Sequence, residues 1–470
     1  MNNLRLIHLI AVFAVIVGMM LLSGCNGQTE PVPTTPTQPV PAETQQVTVA
    51  EEESQSQVQN PGLPKLYLAG DISGMQDKSD ERVIAFTYED GAQTESGYVK
   101  IKVQGSSSLA YEKKNYTIKM YRDPECDDKL KVDMGWGEEN KYCLKANWID
   151  KTHARNIVTA RIASQIQEKY NVLPDTPNHG LIDGFPVEVY NNNEFLGLYT
   201  WNIPKDEWLL NMDGDNPDHI AVCGSKWDEA TLFWDYPNFT SWELEVGEEN
   251  DENLAKLNRL FDFVMNSSNE EFVEHFHEYL DLDAALNYYL MMDLAHLNDN
   301  WAKNMLLFTY DSEIWYLGLY DLDTSWGTYY TGLQLYDYAH EQPHINLNCL
   351  FLRMESFFSD QLIQRYFELR KDIFTKEHIL NEFHSFRNGI PDDVFAREVT
   401  RWGNEIPGYD YGQIEEYLDC RFPILDAKYS DWDAWLDYRY QATLEYLDTQ
   451  ELDEETRESR LELLMPPDVN

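Results

Sequence analysis

Four oxygen-bearing side chains in one short stretch could together carry phosphoryl-transfer chemistry. They are Asp299, Asn304, Asp321 and Asp323, and the first two lie in a polar loop. Phosphoryl transfer needs a carboxylate that takes the proton of the accepting hydroxyl, and Asp299 could act as that base. It also needs oxygen ligands that hold Mg²⁺ or Mn²⁺ against the phosphates, which the other three could provide. The sequence does not distinguish Asp321 from Asp323 as the primary ligand, because both follow the same predicted strand.

The spacing of Asp299 and Asn304 is also that of the base and the metal-holding amide in a protein-kinase catalytic loop. In such kinases a hairpin and a metal-binding aspartate follow the loop. A second interpretation needs no chemistry, because aspartate and asparagine are common turn residues between a helix and a hairpin. The spacing by itself favours this second interpretation, so the assignment depends on the rest of the chain.

The elements that must position this loop follow from the hydrophobic pattern. Apolar residues recur every three or four positions over residues 281–297, which predicts an amphipathic helix that ends at the polar residues 298–300. Two short apolar runs, 305–310 and 314–320, predict a β-hairpin. The predicted order is therefore helix, polar loop, hairpin and an acidic tip.

A second candidate region is the turn Gly105-Ser106-Ser107-Ser108, between alternating runs at residues 98–104 and 115–121. The alternation predicts two β-strands. Backbone N–H groups of a Gly/Ser turn between strands can cradle phosphates. Taken alone, such a hairpin with lysines nearby is more often a solvated turn. The phosphate-binding interpretation is favoured only when the turn is considered together with the loop that carries Asp299.

Separate landmarks along the chain resemble the spore coat protein H (CotH) kinase family. They are GSSSLAYEKKNYTIK (105–119), NWIDKTHARN (147–156), GFPVEVYNNNEFLGLY (184–199), and HLNDNWAKN with YDLDTSWG (296–304 and 320–327). They occur in the family's order, which makes their joint match far more specific than any single motif. The resemblance implies an α+β, bilobal, atypical protein-kinase-like fold with a strand-rich N-terminal half and a helix-rich C-terminal half. A nucleotide would then lie between the lobes.

The resemblance also implies an activity, namely metal-dependent transfer of the γ-phosphoryl group of ATP to Ser/Thr hydroxyls of extracytoplasmic or spore-coat proteins. Asp299 is then the base, and Mg or Mn is held by Asn304, Asp321 and Asp323. The expected nucleotide contacts are Gly105, Ser106, Ser107, Ser108, Lys113 (or Lys114) and Lys119, the last of these to the α/β-phosphates. Arg155 could pair with a carboxylate of the site, although a surface ion pair at a helix start is favoured.

The sequence departs from kinases in two places. One glycine stands in the Gly/Ser turn where ordinary kinases use three, and the run NIPKDEW (202–208) stands where the family has a glutamate. A catalytically weak or inactive kinase-like surface protein that binds or scaffolds a partner is therefore the alternative function. A glycoside hydrolase ranks last, because nothing in the sequence sets two carboxylates at the required separation.

Composition bounds the class of protein and its partners. The chain has 470 residues, of which 43% are hydrophobic, so it can form a packed core. Its formal net charge of −46 argues against nucleic acid as a partner. An anionic nucleotide therefore needs a locally basic or metal-loaded site. Five cysteines remain besides Cys25, and both a Cys126–Cys143 disulfide and buried free thiols stay open.

The N-terminal segment predicts a targeting signal and a domain layout. A nearly unbroken apolar run over residues 9–22 is followed by Leu22-Ser23-Gly24-Cys25, which matches a bacterial lipobox. We expect a signal peptide at 1–24 and a lipidated Cys25 that anchors the protein to the extracytoplasmic face of the membrane; a plain anchor helix is the alternative. Residues 25–61 predict a disordered Pro/Thr/Gln tether. The kinase-like domain would span 62–470, with a strand-rich lobe at about 62–205 and a helical lobe at about 206–470.

Overall fold

The computed structural model describes residues 62–91, 93–329, 332, 347–403, 411–450 and 452–464. These residues belong to one structural unit, which spans residues 60–470. The expected signal peptide, its lipobox and the expected tether (25–61) lie outside the described residues. Within the described part of the chain, no helix is long and apolar enough to cross a membrane.

Strands dominate the first half of the described chain. They are β1 (Lys65–Ala69), β2 (Arg82–Glu89), β3 (Thr94–Gln104), β4 (Asn115–Tyr121), β5 (Val132–Asp133), β6 (Glu138–Glu139), β7 (Lys141–Lys145), β8 (Gly184–Asn191) and β9 (Glu194–Asn202). Seven of them close into a barrel in the order β1-β2-β3-β4-β7-β9-β8, and β5 pairs with β6. All barrel neighbours are antiparallel except β1 and β8, which are parallel.

The barrel interior is filled by every second residue of its strands, as expected from the two-residue period of a β-strand. Val99, Ile101 and Val103 of β3 are at most 1% exposed and pack inside with Ile118 of β4 and Trp201 of β9. The strands predicted from the alternating runs at 98–104 and 115–121 are therefore confirmed.

The second half contains most of the helices and a second sheet. Helix α1 (Arg155–Lys169) lies between β7 and β8, and ten further helices follow in the described residues. They are α2 (Asp251–Asn266), α3 (Asn269–His275), α4 (Leu282–Ala295), α5 (Cys349–Phe357), α6 (Ser359–Leu369), α7 (Lys376–Asn388), α8 (Asp392–Trp402), α9 (Tyr411–Ser430), α10 (Trp432–Thr449) and α11 (Glu454–Glu462). The architecture is thus mixed α+β, with a strand-rich N-terminal half and a helix-rich C-terminal half.

The second sheet consists of β10 (Ile220–Gly224), β11 (Trp242–Val246), β12 (Met305–Thr309) and β13 (Trp315–Leu319), in the order β11-β10-β12-β13. The predicted hairpin is confirmed as β12 and β13, which pair from Met305 with Leu319 to Thr309 with Trp315. β10 and β11 were not expected from the sequence. β10 pairs with β12, and Ile220 lies opposite Thr309. Because these partners are far apart in the chain, no local sequence pattern predicts the pairing.

Helix α4 is the centre of the larger hydrophobic core. The predicted helix is confirmed, but its amphipathic character is wrong, because every residue from Ala284 to Ala295 is buried. Its polar side chains are satisfied by neighbouring helices. For example, Asn287 donates to the Gln167 side chain of α1 at 2.8 Å. A helix that is buried on all sides needs such internal partners for each polar group.

Cys126, Cys143, Cys223 and Cys349 are free thiols. Cys143, Cys223 and Cys349 are buried, whereas Cys126 and Cys420 are partly exposed. The disulfide between Cys126 and Cys143 that the sequence left open does not form, and the alternative of free thiols holds for these two residues.

Candidate functional site

A cleft with about 350 Å³ of empty space lies where the barrel meets the acidic tip after β13. Its lining includes Ser108, Tyr111, Lys145, Trp148, Asp321 and Asp323. The first four belong to the barrel strands and the segments that follow them, and the two aspartates come from the second half of the chain. The cleft therefore joins two regions that the sequence analysis treated as separate landmarks.

The acidic tip is held against the start of α1 by buried polar contacts. The backbone N–H of Leu322 donates to the Asn156 side-chain oxygen at 2.9 Å. The Trp326 ring N–H donates to the Thr159 hydroxyl at 2.8 Å, and this hydroxyl also lies 3.2 Å from the Ser325 hydroxyl. Since these groups are buried, each contact fixes the tip in one position relative to α1.

Arg155 is part of this anchor, and the expectation of a surface ion pair is wrong. The Arg155 side chain is fully buried, its Nη1 lies 2.6 Å from Asp150 Oδ1, and its Nε donates to the Ser325 carbonyl at 3.1 Å. Asp150 also accepts the backbone N–H groups of Thr152 and Arg155. The tight turn before α1 forms around this one carboxylate, which brings the arginine inward rather than to solvent.

The carboxylates around the cleft repel one another. Burial raises the pKa of Asp323 to about 8, with Asp321 the next cause, and Asp150 and Asp299 add to the effect. Burial likewise raises the pKa of Asp299. The Lys303 charge lowers this pKa, and the Asp321 charge raises it further. The charges of Asp299, Asp321 and Asp323 therefore act on one another, although Asp299 is not among the residues that line the cleft.

Lys145 provides a positive charge inside the cleft. It ends β7, and its Nζ lies 3.7 Å from Asp321 Oδ1. The same Nζ lies 3.5 Å from the Tyr320 hydroxyl. Burial lowers the pKa of Lys145, but Tyr320 and Asp321 raise it by more, so the amine stays protonated. Lys145 was not among the site residues predicted from the sequence.

Lys119 is not brought to the cleft. It lies on the outer face of the barrel in β4, paired across the sheet with Lys100 and Lys141. Burial and then the Lys141 charge lower the pKa of Lys119, and no carboxylate of the cleft is among its causes. Lys119 is not among the residues that line the cleft, so the expected phosphate contact through Lys119 does not fit this geometry.

The other two candidate lysines are engaged by the protein itself. Lys113 is 2% exposed. Its Nζ donates to the Ala146 and Leu198 carbonyls and to Glu398. Lys114 donates to the carbonyls of Leu109 and Tyr111 and so closes the turn below the cleft. Because an ammonium has three donors, Lys113 has none left for a phosphate.

The Gly/Ser turn reaches the cleft through its last residue. Gly105 has a φ of 116°, and a Cβ there would lie 1.9 Å from the Ser108 hydroxyl. The Ser108 hydroxyl accepts from the Asn115 side chain at 3.3 Å and lines the cleft. Ser106 and Ser107 are exposed on the outside of the turn. Glycine is thus required at 105 so that the chain can fold back and present Ser108.

Asn304 lies beside the acidic tip but is not among the residues that line the cleft. Its backbone is left-handed (φ 64°), and its N–H donates to the Gly224 carbonyl at 2.7 Å. The register of β12 and β13 places it opposite Tyr320, the residue before Asp321. Asn300, which the sequence analysis did not single out, ties the loop to this point by donating to the Tyr320 carbonyl at 3.0 Å.

An aromatic pair flanks the cleft on the barrel side. The rings of Tyr111 and Trp148 stack with centroids 5.8 Å apart and an interplanar angle of 21°. Both lie inside landmark motifs, Tyr111 in 105–119 and Trp148 in 147–156, but no periodicity marked them. They provide a flat apolar surface next to the charged part of the cleft.

The oxygen donors present fit a hard divalent cation. Across the described residues, no group of three or more His, Cys, Asp or Glu side chains forms a complete metal site. Mg²⁺ characteristically binds through one or two carboxylates together with waters and substrate phosphates, rather than in an all-protein cage. Asp321 and Asp323 are such a carboxylate pair, and burial, followed by the Asp321 charge, raises the pKa of Asp323.

Lysine, carboxylates and the end of a Gly/Ser turn thus surround one cleft on an α+β fold. The sequence of residues 101–422 matches the family described as CotH kinase protein, and the chain belongs to this family. No curated protein matches the sequence. Membership of this family supports a kinase-like function.

Proposed function

We propose that the protein is a metal-dependent atypical protein kinase that transfers the γ-phosphoryl group of ATP to Ser/Thr hydroxyls. One observation carries the proposal: Asp321 and Asp323 share a cleft with Lys145, so two carboxylates face one ammonium and the site has a net negative charge when both are ionised. A divalent cation with its bound phosphates would balance that charge, as in other phosphoryl-transfer sites. The two halves of the chain then correspond to the two lobes of a kinase-like fold.

In this proposal the phosphates and the adenine base of ATP bind to different parts of the cleft. Lys145 and the Ser108 segment suit the phosphates, since both combine donors with a position next to the acidic tip. The stacked rings of Tyr111 and Trp148 suit the adenine base, which gains stability from aromatic contact. In this proposal Lys145 takes the phosphate role that the sequence analysis gave to Lys119.

Asp321 and Asp323 are the proposed ligands of Mg²⁺ or Mn²⁺, with the side chain of Asn304 as a further oxygen ligand. When bound, the cation neutralises charge that develops on the phosphate oxygens. Carboxylate and amide oxygens suit both Mg²⁺ and Mn²⁺. The proposal therefore includes both metals.

Asp299 is the proposed base. The hydroxyl oxygen of the acceptor forms a bond to the γ-phosphorus, and the bond from that phosphorus to the β–γ bridging oxygen breaks. The proton of the hydroxyl passes to the Asp299 carboxylate, and ADP leaves. Burial raises the pKa of Asp299 and so makes it a stronger base than an ordinary aspartate.

The location of this activity is a further part of the proposal. The lipobox at Leu22–Cys25 and the polar, Pro-rich residues 25–61 support a lipid-anchored domain held off the extracytoplasmic face by a tether. Extracytoplasmic or spore-coat proteins with accessible Ser/Thr hydroxyls are then the acceptors.

Thermal unfolding of the full-length protein with ATP, with and without Mg²⁺ or Mn²⁺, tests the proposal. A ligand at about 100 times its dissociation constant adds about 2.7 kcal/mol of stability, which is easily measured as a rise in Tm. We expect a metal-dependent rise that Asp321→Ala abolishes, together with loss of phosphoryl transfer to protein acceptors. Asp372→Ala is the matched control, because Asp372 pairs with Lys169 at the far end of α1.

Two outcomes would contradict the proposal. If millimolar ATP with metal leaves the Tm unchanged, the alternative of a kinase-like binding or scaffold protein is favoured. If Asp321→Ala keeps the wild-type activity, the metal role of Asp321 is wrong even though the protein is a kinase.

A further inference from the structure

Helix α8 makes a buried charged contact with the barrel side of the cleft. Glu398, near the end of this helix, is 5% exposed. Its Oε1 accepts from Lys113 Nζ at 2.6 Å, and its Oε2 accepts from the backbone N–H of Leu198 in β9 at 2.7 Å. One carboxylate thus bridges a lysine that follows the Gly/Ser turn and a strand of the barrel.

Hydrogen bonds connect Lys113 to residues that line the cleft. Its Nζ also donates to the Ala146 carbonyl at 2.9 Å, and Ala146 directly follows the cleft residue Lys145. The Ala146 N–H donates to the Asn115 side chain at 2.7 Å, and that side chain donates to the Ser108 hydroxyl at 3.3 Å. Lys145 is therefore next to a residue that Lys113 binds directly, and Ser108 is connected to Lys113 through three hydrogen bonds.

The Lys113–Glu398 ion pair is tightly packed against β9 and the aromatic residues of α8. Gly197 lies beneath it, and a Cβ there would lie 2.8 Å from Lys113 Cε and 3.0 Å from Glu398 Oε2. Trp402, one turn further along α8, donates its ring N–H to the Leu196 carbonyl at 2.8 Å. Its ring also meets that of Trp148 edge-on, at 6.1 Å between centroids. The helix thus touches both the lysine and the aromatic pair of the cleft.

Lys113 is the cation that balances the Glu398 charge. The His153 Nε2 lies 3.7 Å from Glu398 Oε1, but burial holds the pKa of this histidine well below its ordinary value, so the ring is neutral. Both partners of the lysine–glutamate pair are almost completely removed from solvent. In such surroundings the loss of one partner leaves the other charge uncompensated.

We propose that Glu398 is a positioning residue for nucleotide binding. Through Lys113 it fixes the end of β7 and the Gly/Ser turn, and so sets the distance between Lys145 and Ser108. This role rests on the proposed function, because it concerns the same nucleotide cleft. Glu398 touches neither substrate nor metal in this assignment and acts only through Lys113.

The test is nucleotide binding and kinetics of full-length Glu398→Gln. Glutamine keeps the acceptor for the Leu198 N–H and removes the charge that holds Lys113. We expect the Kd for Mg-ATP by calorimetry and the KM for ATP to rise about 10-fold, at the low end of the 10–100-fold that is typical when a residue orienting a metal ligand is lost. The kcat should fall much less, because Asp299 and the acidic tip are unaffected.

Two further variants distinguish a positioning role of Glu398 from a general role in holding α8 against the barrel. Arg397→Met removes the neighbouring ion pair of α8 with Glu188 of the barrel, and we expect its Kd for ATP to equal that of the wild type. The double variant Lys113→Met/Glu398→Gln removes both buried charges, so its Tm should recover relative to Glu398→Gln while its Kd stays raised. This recovery keeps the test valid even where the single variant is unstable.

The outcomes are distinguishable. A wild-type Kd in folded Glu398→Gln or in the double variant overturns the role of Glu398 and leaves the proposed kinase function intact. An equal rise of the Kd in Arg397→Met also overturns it, because general loosening of α8 would then explain the effect. Absence of ATP binding by the wild type overturns the proposed function and this role with it.

Discussion

At the residue scale, the position of two lysines decides how the cleft can bind a phosphate. Lys145 and Lys119 both lie on the outer face of the barrel, in the neighbouring strands β7 and β4. Lys145 ends its strand next to the acidic tip, 3.7 Å from Asp321 Oδ1. Lys119 lies among other lysines, and burial together with the Lys141 charge lowers its pKa. The Lys145 ammonium can therefore reach a phosphate bound at the acidic tip, whereas the Lys119 ammonium lies among other lysines.

These two lysines make a matched pair of substitutions. Lys145→Met should raise the Kd for Mg-ATP by about 10-fold or more, because a charge-assisted hydrogen bond to a phosphate is worth about 1.5–3 kcal/mol. Lys119→Met should leave the Kd within the error of the measurement, which calorimetry on the full-length protein would show. A larger effect of Lys119→Met than of Lys145→Met would restore the original assignment and contradict the geometry.

At the element scale, the helix that carries the loop with Asp299 is anchored by buried charges. Near the end of α4, Asp293 is 1% exposed. Its carboxylate accepts from Lys428 Nζ at 2.7 Å and from the Tyr429 hydroxyl at 2.9 Å. Arg421 donates to the Asp293 carbonyl at 2.7 Å. Helix α9 thus holds the last turn of α4, which fixes where the loop begins.

Lys428→Met should destabilise the protein by about 3 kcal/mol, because it leaves a buried carboxylate short of its charge partner. The measurement is the free energy of unfolding in urea, with Lys376→Met as the control. Lys376 forms ion pairs with Glu415 and Asp419 of the same helix α9, but these pairs are exposed, and its loss should change the free energy far less. Equal effects of the two substitutions would show that the buried pair does not anchor α4.

At the scale of the whole molecule, the folded unit extends beyond the region that defines the family. The family match covers residues 101–422. β1 and β2 precede it and complete the closed barrel. Lys428 of α9 and Arg439 of α10 follow it, and Arg439 Nε lies 3.3 Å from Glu355 Oε2 in the helical core. The flanking segments therefore belong to the same core as the cleft.

A chain truncated after residue 422 should fail to fold cooperatively, because it loses buried polar contacts of the core. These are the contacts of Lys428 and Tyr429 with Asp293, of Arg439 with Glu355, and of the Trp432 ring N–H with the Glu355 carbonyl of α5. Circular dichroism during thermal unfolding would show the loss of a sharp transition. A chain truncated after residue 451 keeps α9 and α10 and should retain a cooperative transition. A native-like transition in the shorter chain would mean that residues 423–451 are dispensable for the core.

The sequence by itself determined several local elements and the family. The helix before Asp299, the hairpin β12–β13 and the strands β3 and β4 were all predicted, because period and turn residues act over a few positions. The order of landmarks also identified the family, which the match over residues 101–422 confirms. The roles of Asp299, Asn304, Asp321 and Asp323 stay predictions, and their proximity is consistent with them.

Only the tertiary structure decided which of the candidate groups meet. It turned Arg155 inward, brought Lys145 rather than Lys119 to the acidic tip, and paired Lys113 with Glu398 across 285 positions of the chain. It also added β10 to the hairpin β12–β13. Each of these contacts joins segments far apart in the chain. Their partners are set by how the barrel packs on the helices, and no local pattern of residues records that packing.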